Sequence, residues 1–284
     1  NSKIYIYIMK KLLCISALIL LFASCKDKAT RQAEEAKELA AQFNNIITGE
    51  WVMNDYISEL EKTKSPLASY NVLKDVVAMD IRTDEYKGDS LYIPVSFNNH
   101  EGGDFMLYYR KGYEENSLLT SLTDNENTIN TYELGYEVKG ADTMLILYHY
   151  GAGNKLIDKR SFSKAPVATA DGEPSALQRA ANKTLFAGNY TATNEQGIIA
   201  NVSFTADGLL QGFEGFNTYY IFTDFMTEEE GYKIDEICFD ERTKNQQPFI
   251  FSISGDTTRL YAAKENEERK KKKKGALKYT LIRK

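Results

Sequence analysis

The sequence predicts an all-β protein, two tandem eight-stranded antiparallel barrels, each preceded by a short helix, behind an N-terminal export signal. Three observations predict it. Apolar residues alternate with period two through most of the chain after residue 48. Short turns rich in Gly, Asn and Asp separate these runs with no helical pattern between them. The second half then repeats the plan of the first. Composition agrees: 284 residues carry 19 Tyr and 14 Phe but only five Pro, which suits twisted antiparallel sheet. Nucleic acid is not an expected partner of an exported chain that lacks interleaved aromatics and a basic face.

In chain order, the expected start is Met9, with residues 1–8 before it. Met9-Lys10-Lys11 is basic, Leu12 to Phe22 is mostly apolar, and Ala23-Ser24 are small. That is the layout of a secretory signal over residues 9–24. The apolar run falls short of the roughly 20 residues that a spanning helix needs. Its ending, Leu21-Phe22-Ala23-Ser24-Cys25, resembles the lipobox of bacterial lipoproteins. The resemblance implies cleavage before Cys25, acylation of that residue, and a membrane partner held through the lipid, since several acyl chains anchor stably where one does not. An ordinary signal peptide cut nearby, with Cys25 incidental, is the alternative. Lys26 and Asp27 resemble the charged tags of Bacteroidetes surface lipoproteins. The implied location is the bacterial cell envelope, at the outer membrane, with its face left open. Removal of Cys14 and acylation of Cys25 leave Cys238 without a disulfide partner, a small buried hydrophobe between Ile237 and Phe239.

Residues 25–48 form the acylated tether and a helix, because Ala33, Ala36, Ala40, Phe43 and Ile47 recur at helical period with charge between them. Their stripe suits a cap on the body better than a free stalk. The first barrel is expected over residues 49–164. Its strands fall near 49–56, 76–82, 90–97, 103–110, 117–122, 131–138, 142–150 and 155–163. Pro94 in the third fits an edge or a bulge. Eight short strands in a meander can close and so remove their edges.

Residues 165–187 form a Pro- and Ala-bearing linker and a second helix that opens at Ser175. Beyond it Leu185-Phe186-Ala187-Gly188-Asn189-Tyr190 matches Ile46-Ile47-Thr48-Gly49-Glu50-Trp51, and Asp256-Thr257 matches Asp142-Thr143. The second barrel, residues 188–284, has strands expected near 188–194, 198–205, 208–213, 217–224, 231–240, 247–254, 257–264 and 276–283. Asp207-Gly208 signals a tight hairpin.

The Gly-x-Trp and Gly-x-Tyr openings, the meandering strands and the final hairpin with Asp-Thr and a basic-aromatic strand resemble the lipocalin-like domains of lipoproteins from gut Bacteroidetes. The resemblance covers both halves. It implies up-and-down barrels, Trp51 and Tyr190 closing each floor against the first turn, and a small apolar or amphipathic ligand. The first half departs from the pattern by an insertion, Ile57 to Lys74, positioned to cover an open end. An eight-stranded barrel is either filled by its own side chains or holds one small ligand. Candidate ligand-binding residues are Trp51, Tyr92, Tyr108, Tyr148, Tyr190, Tyr219 and Phe222, although aromatics at strand spacing are more often core or girdle.

No catalytic, metal or cofactor site is expected. His100 and His149 are the only histidines, and neither stands in a metal-binding or nucleophile motif. The acidic run Glu228-Glu229-Glu230 lacks the ligand spacing of a calcium loop. Lys270, Lys271, Lys272, Lys273 and Lys274 repel one another and are expected at the exposed tip of the last hairpin, where they offer a contact for an anionic surface. The expected function is a non-enzymatic envelope lipoprotein whose barrels bind a small apolar or amphipathic molecule. The alternative is an interaction scaffold for another envelope protein or a glycan.

Overall fold

The computed structural model describes residues 28–124, 127–140, 142–168, 174–213, 215–266 and 271–284. The expected signal peptide, Cys25 and Lys270 lie outside them.

Residues 28–47 are helical, α1. Its buried stripe is Ala36, Leu39, Ala40, Phe43 and Ile47; Ala33, expected on it, is exposed. The stripe joins the hydrophobic core, so α1 caps the body. The Tyr109 hydroxyl donates to Asn44 Oδ1 at 2.5 Å, and Phe43 meets Tyr136 edge-on.

The first sheet is a closed antiparallel barrel of β1 (Gly49–Met53), β2 (Val76–Ile81), β3 (Ser90–Phe97), β4 (Glu101–Lys111), β5 (Ser117–Thr123), β6 (Thr131–Lys139), β7 (Asp142–Gly151) and β8 (Lys155–Lys164). Closure comes from the ladder of β1 with β8. Expected and observed strands agree to within three residues at each end. The largest difference is at β1, which stops at Met53 because α2 (Asn54–Thr63) follows without a turn, burying Tyr56 and Leu60 at helical spacing. Lys64 ends α2 in the left-handed region (φ 55°), with its N–H on Leu60 O. Ser65 then caps the short α3 (Pro66–Ser69) by accepting from Ala68 N.

Ser175 likewise caps α4 (Ala176–Leu185) by accepting from Gln178 N. The second sheet holds β9 (Gly188–Asn194), β10 (Ile199–Phe204), β11 (Leu210–Gln211), β12 (Tyr219–Ile221), β13 (Glu236–Phe239), β14 (Gln247–Ser254), β15 (Thr257–Asn266) and β16 (Lys271–Arg283). Its order is β11-β10-β9-β16-β15-β14-β13-β12, and it is not closed. The first barrel is thus shown, and closure of the expected second one is not. The short end strands β11 and β12 meet beside an isolated bridge, Leu209↔Thr218, with Leu210 N donating to Asn217 O at 2.8 Å and Tyr219 N to Gly208 O at 2.7 Å. Between them the chain reverses at Gly212 (φ +84°) and Gly215 (φ +83°), and a Cβ on Gly212 would lie 2.1 Å from Asn201 O. Residues 222–224 and 231–235, expected as strand, are loop instead.

The plan is nonetheless duplicated at the floor of each half. Trp51 stands opposite Lys164 and Tyr190 opposite Arg283 in register. The Lys164 ammonium lies 5.4 Å from the Trp51 ring centre and the Arg283 guanidinium 5.1 Å from that of Tyr190. Gly49 (φ +118°) and Gly188 (φ +147°) leave room for these cations, and a Cβ at Gly188 would sit 2.8 Å from Arg283 Nη1.

One contiguous apolar core runs through α1, both sheets and the helices between them. Helices α2 and α4 pack on each other. Asp235 binds the cap of α3, accepting from Ser65 Oγ at 2.7 Å and Leu67 N at 3.0 Å, and Tyr70 meets Phe225 edge-on. The insertion therefore joins the halves. Arg179 of α4, buried among carbonyls, donates to Pro166 O, Pro174 O and the Glu50 carboxylate. Cys238 is buried and free, its thiol pushed up to about 11, chiefly by burial.

Candidate binding site at the open end of the first barrel

The α1 end of the first barrel is sealed. The opposite end opens into a cavity of about 880 Å³, lined by Val76, Leu122, Tyr132, Leu147, His149 and Arg160 among others. Alternation along β7 builds it. Leu145 and Leu147 face the core, and His149 follows on the same side at the rim; Ile146, Tyr148 and Tyr150 form a separate apolar cluster on the other side.

Register then sets a row across three strands, Tyr132 opposite His149 and His149 opposite Asp158. The Tyr132 and His149 rings stack with centres 4.4 Å apart and an angle of 4°. One step inward, Leu134 opposes Leu147 and Leu147 opposes Arg160. An apolar floor thus rises into a polar rim.

Asp124, in the turn after β5, ties the row together. It accepts from the Tyr132 hydroxyl at 2.5 Å and from Asn130 Nδ2 at 2.6 Å, and His149 Nε2 lies 3.1 Å away. Burial alone would raise the Asp124 carboxyl, but the hydrogen bonds of Tyr132 and Asn130 and the nearby imidazole outweigh it and hold the group below its ordinary value. Burial and the Asp124 charge push the Tyr132 phenol well up. His149 Nδ1 lies 3.5 Å from Asp158 Oδ2, too far for a hydrogen bond, and is otherwise without a partner among the described residues. The Arg160 guanidinium closes the rim, donating to Asp75 Oδ2 at 2.7 Å and Lys74 O at 3.0 Å.

The backbone of the rim is held in sparsely populated conformations. Asp75 (φ 57°), Asn98 (φ 53°) and Asn99 (φ 57°) are all left-handed. A reciprocal clasp holds two of them: Asn98 N donates to Asp75 O at 2.9 Å, and Asp75 N to Asn98 Oδ1 at 2.7 Å. Immediately beyond, the same loop reaches the second half, where Asn99 Nδ2 donates to Thr223 Oγ1 at 3.1 Å and His100 Nδ1 lies 2.7 Å from Asp224 Oδ2.

None of the seven ring residues expected to bind ligand lines this cavity. Trp51 and Tyr190 are buried at the two floors. Tyr92 (52% exposed) and Tyr108 stand on the outer face of β3 and β4, alternating with the core residues Leu91, Ile93, Leu107 and Tyr109. Tyr148 belongs to the outer cluster of β7. Tyr219 packs in the core against Phe186 and Phe204, and Phe222 lies partly buried against Phe225. The rim residues Asp75, Asp124, Tyr132, His149, Asp158 and Arg160 escaped the sequence reading. Their one signal is polar character at core-facing parity, in Tyr132 and His149.

The cavity lining has no serine or cysteine, and among the described residues no group of three or more His, Cys, Asp or Glu is placed to hold a metal ion. No described helix is long and apolar enough to cross a membrane. Comparison with protein-family models, curated proteins and solved structures returns no match.

Proposed function

We propose that the chain is a non-enzymatic, lipid-anchored envelope protein whose first barrel holds one small amphipathic molecule at its open end. A single observation carries the reading: the cavity grades from Val76, Leu122 and Leu147 to a rim of Asp124, His149, Asp158 and Arg160. A molecule with an apolar end and a hydrogen-bonding head matches that gradient, and its size matches what an eight-stranded barrel can accommodate. The lipobox-like ending at Cys25 and the likeness of both halves to lipocalin-like lipoprotein domains support the location and the class. The unclosed second sheet is assigned a supporting role, bracing the rim through Thr223 and Asp224.

The test is native mass spectrometry of the chain purified from envelopes and of a Leu147→Trp variant, which fills the apolar floor. A small molecule retained by the first and lost from the second, at unchanged circular dichroism, is the expected result. The same empty mass for both after exposure to an envelope lipid extract would overturn the reading.

A further inference from the structure

The last two strands continue as an arm beyond the sheet. β14 pairs with β15 only as far as Ala262, and β9 pairs with β16 only from Tyr279 onward. The ladder of the arm itself runs on through Ala263↔Lys274, Lys264↔Lys273, Glu265↔Lys272 and Asn266↔Lys271. Four of the five consecutive lysines therefore lie in a strand, not at a tip as expected; the connecting residues 267–270 lie outside the described set.

Opposed residues share a face and successive residues alternate. Lys272 and Glu265 occupy one face, Lys264, Lys271 and Lys273 the other. The first face is turned to the body. Lys272 N donates to Gly231 O at 2.8 Å, its ammonium lies 3.1 Å from Glu236 and 3.8 Å from Glu265, and it sits 5.9 Å from the Tyr232 ring centre. On the other face Lys264, Lys271 and Lys273 are exposed and have no carboxylate partner among the described residues. Lys264 and Lys273 are directly opposed, an arrangement of like charges that costs stability in the free protein.

We propose that this face docks on an anionic lipid surface, the membrane to which acylated Cys25 would hold the chain; the choice of lipid rests on the anchoring in the proposed function. Phosphate headgroups would neutralise the opposed lysines. The chain is otherwise acidic, with a net charge of -5, so the arm is the part that such a surface attracts and it sets the orientation of the cavity. Lysines also blunt free strand edges, and that purely protective role predicts aggregation on their removal but no preference among lipids.

The experiment uses the full chain carrying Cys25→Ser, so that no acyl group contributes, and cosedimentation with vesicles of phosphatidylcholine alone or mixed with phosphatidylglycerol. Any apolar contribution is common to both vesicles and cancels in their ratio. The expected result is a preference for the anionic vesicles that disappears at high salt. It falls by roughly 100-fold in K264Q/K271Q/K273Q, about three basic residues' worth, and persists in K272Q. Equal partition between the vesicles, an undiminished preference in the triple variant, or binding to dextran sulfate but to neither vesicle would overturn the proposal. If labelled palmitate fails to reach Cys25 while the vesicle preference holds, the anchoring falls and the docking face stands.

Discussion

Trp51 Nε1 donates to Ile47 O at 2.7 Å, and the Tyr190 hydroxyl donates to Phe186 O at 2.7 Å, each to the carbonyl four residues back. Both rings are fully buried, and each carries on its face a cation from the last strand of its half. The carbonyls belong to the ends of the preceding helical segments, where backbone acceptors lack partners of their own. One device therefore links helix end, first strand and last strand twice in the chain, and it does so with different ring chemistry.

Replacing these rings should separate packing from hydrogen bonding. Tyr190→Phe keeps the ring and leaves the Phe186 carbonyl unpaired, which should cost about 1–2 kcal/mol. Trp51→Ala also opens a cavity and should cost about 3–5 kcal/mol. Urea unfolding of both variants checks the order, and equal losses would contradict the shared role.

Arg179 is almost wholly buried and holds Glu50 of the first barrel to α4 while tying down two carbonyls of the linker. Arg179→Ala strands the Glu50 charge and both acceptors. It should cost about 1–3 kcal/mol, the penalty of leaving buried acceptors unpaired, since the Glu50 side chain is itself one-third exposed. A midpoint in urea close to that of the unvaried chain would show the ion pair to be incidental.

Acid should loosen the rim of the cavity. The Asp124 carboxyl is depressed in the folded protein, so its contribution is present above the ordinary carboxylate value of 3.8 and is lost as pH falls through the lower folded value. Tyr132→Phe removes the 2.5 Å hydrogen bond while keeping the ring stacked on His149. The variant should lose about 1–3 kcal/mol near neutral pH and show a weaker acid dependence. Thermal melts across the acid range provide the measurement.

The contact between halves should respond in the opposite sense. The hydrogen bond to Asp224, then its charge, raises the His100 imidazole above 6.5. A raised folded value means that the stabilisation is complete below the unfolded value and fades as pH rises through the folded one. Hydrogen exchange in residues 98–100, corrected for intrinsic rates, should quicken as pH rises from 6.5 through the raised folded value. His100→Gln should abolish that change; persistence in the variant would assign it elsewhere.

Much of the architecture is legible without coordinates because it depends on local chemistry. Ser175 begins a helix since its hydroxyl can cap Gln178 N, and the alternation of Leu91, Ile93 and Val95 forces a two-sided strand at the observed limits 90–97. The strands of the second half resist the same treatment. Tyr219 and Phe225 bound the aromatic-rich run 219–225, where alternation does not choose a face, and their burial is decided by partners such as Phe204 in one case and Tyr70 in the other.

The candidate site was the least legible part. Tyr92, Tyr108 and Tyr148 are conspicuous aromatics, yet period two alone does not say which face of a sheet turns inward. The polar rim draws Asp75, Asp124, Tyr132, His149, Asp158 and Arg160 from separate strands and turns, so nothing in the spacing of any two announces a cavity.

By itself, then, the amino-acid order determined the meander, its duplication and the helices that punctuate it, since alternation, capping and turn chemistry act between neighbours. Only the tertiary structure decided that one sheet closes through a ladder while the ends of the other meet at an isolated bridge, that the insertion joins the halves, and that four lysines stand in a ladder. Closure, docking and the cross-strand pairing of Lys264 with Lys273 depend on register between distant segments, and register is a property of the assembled sheet.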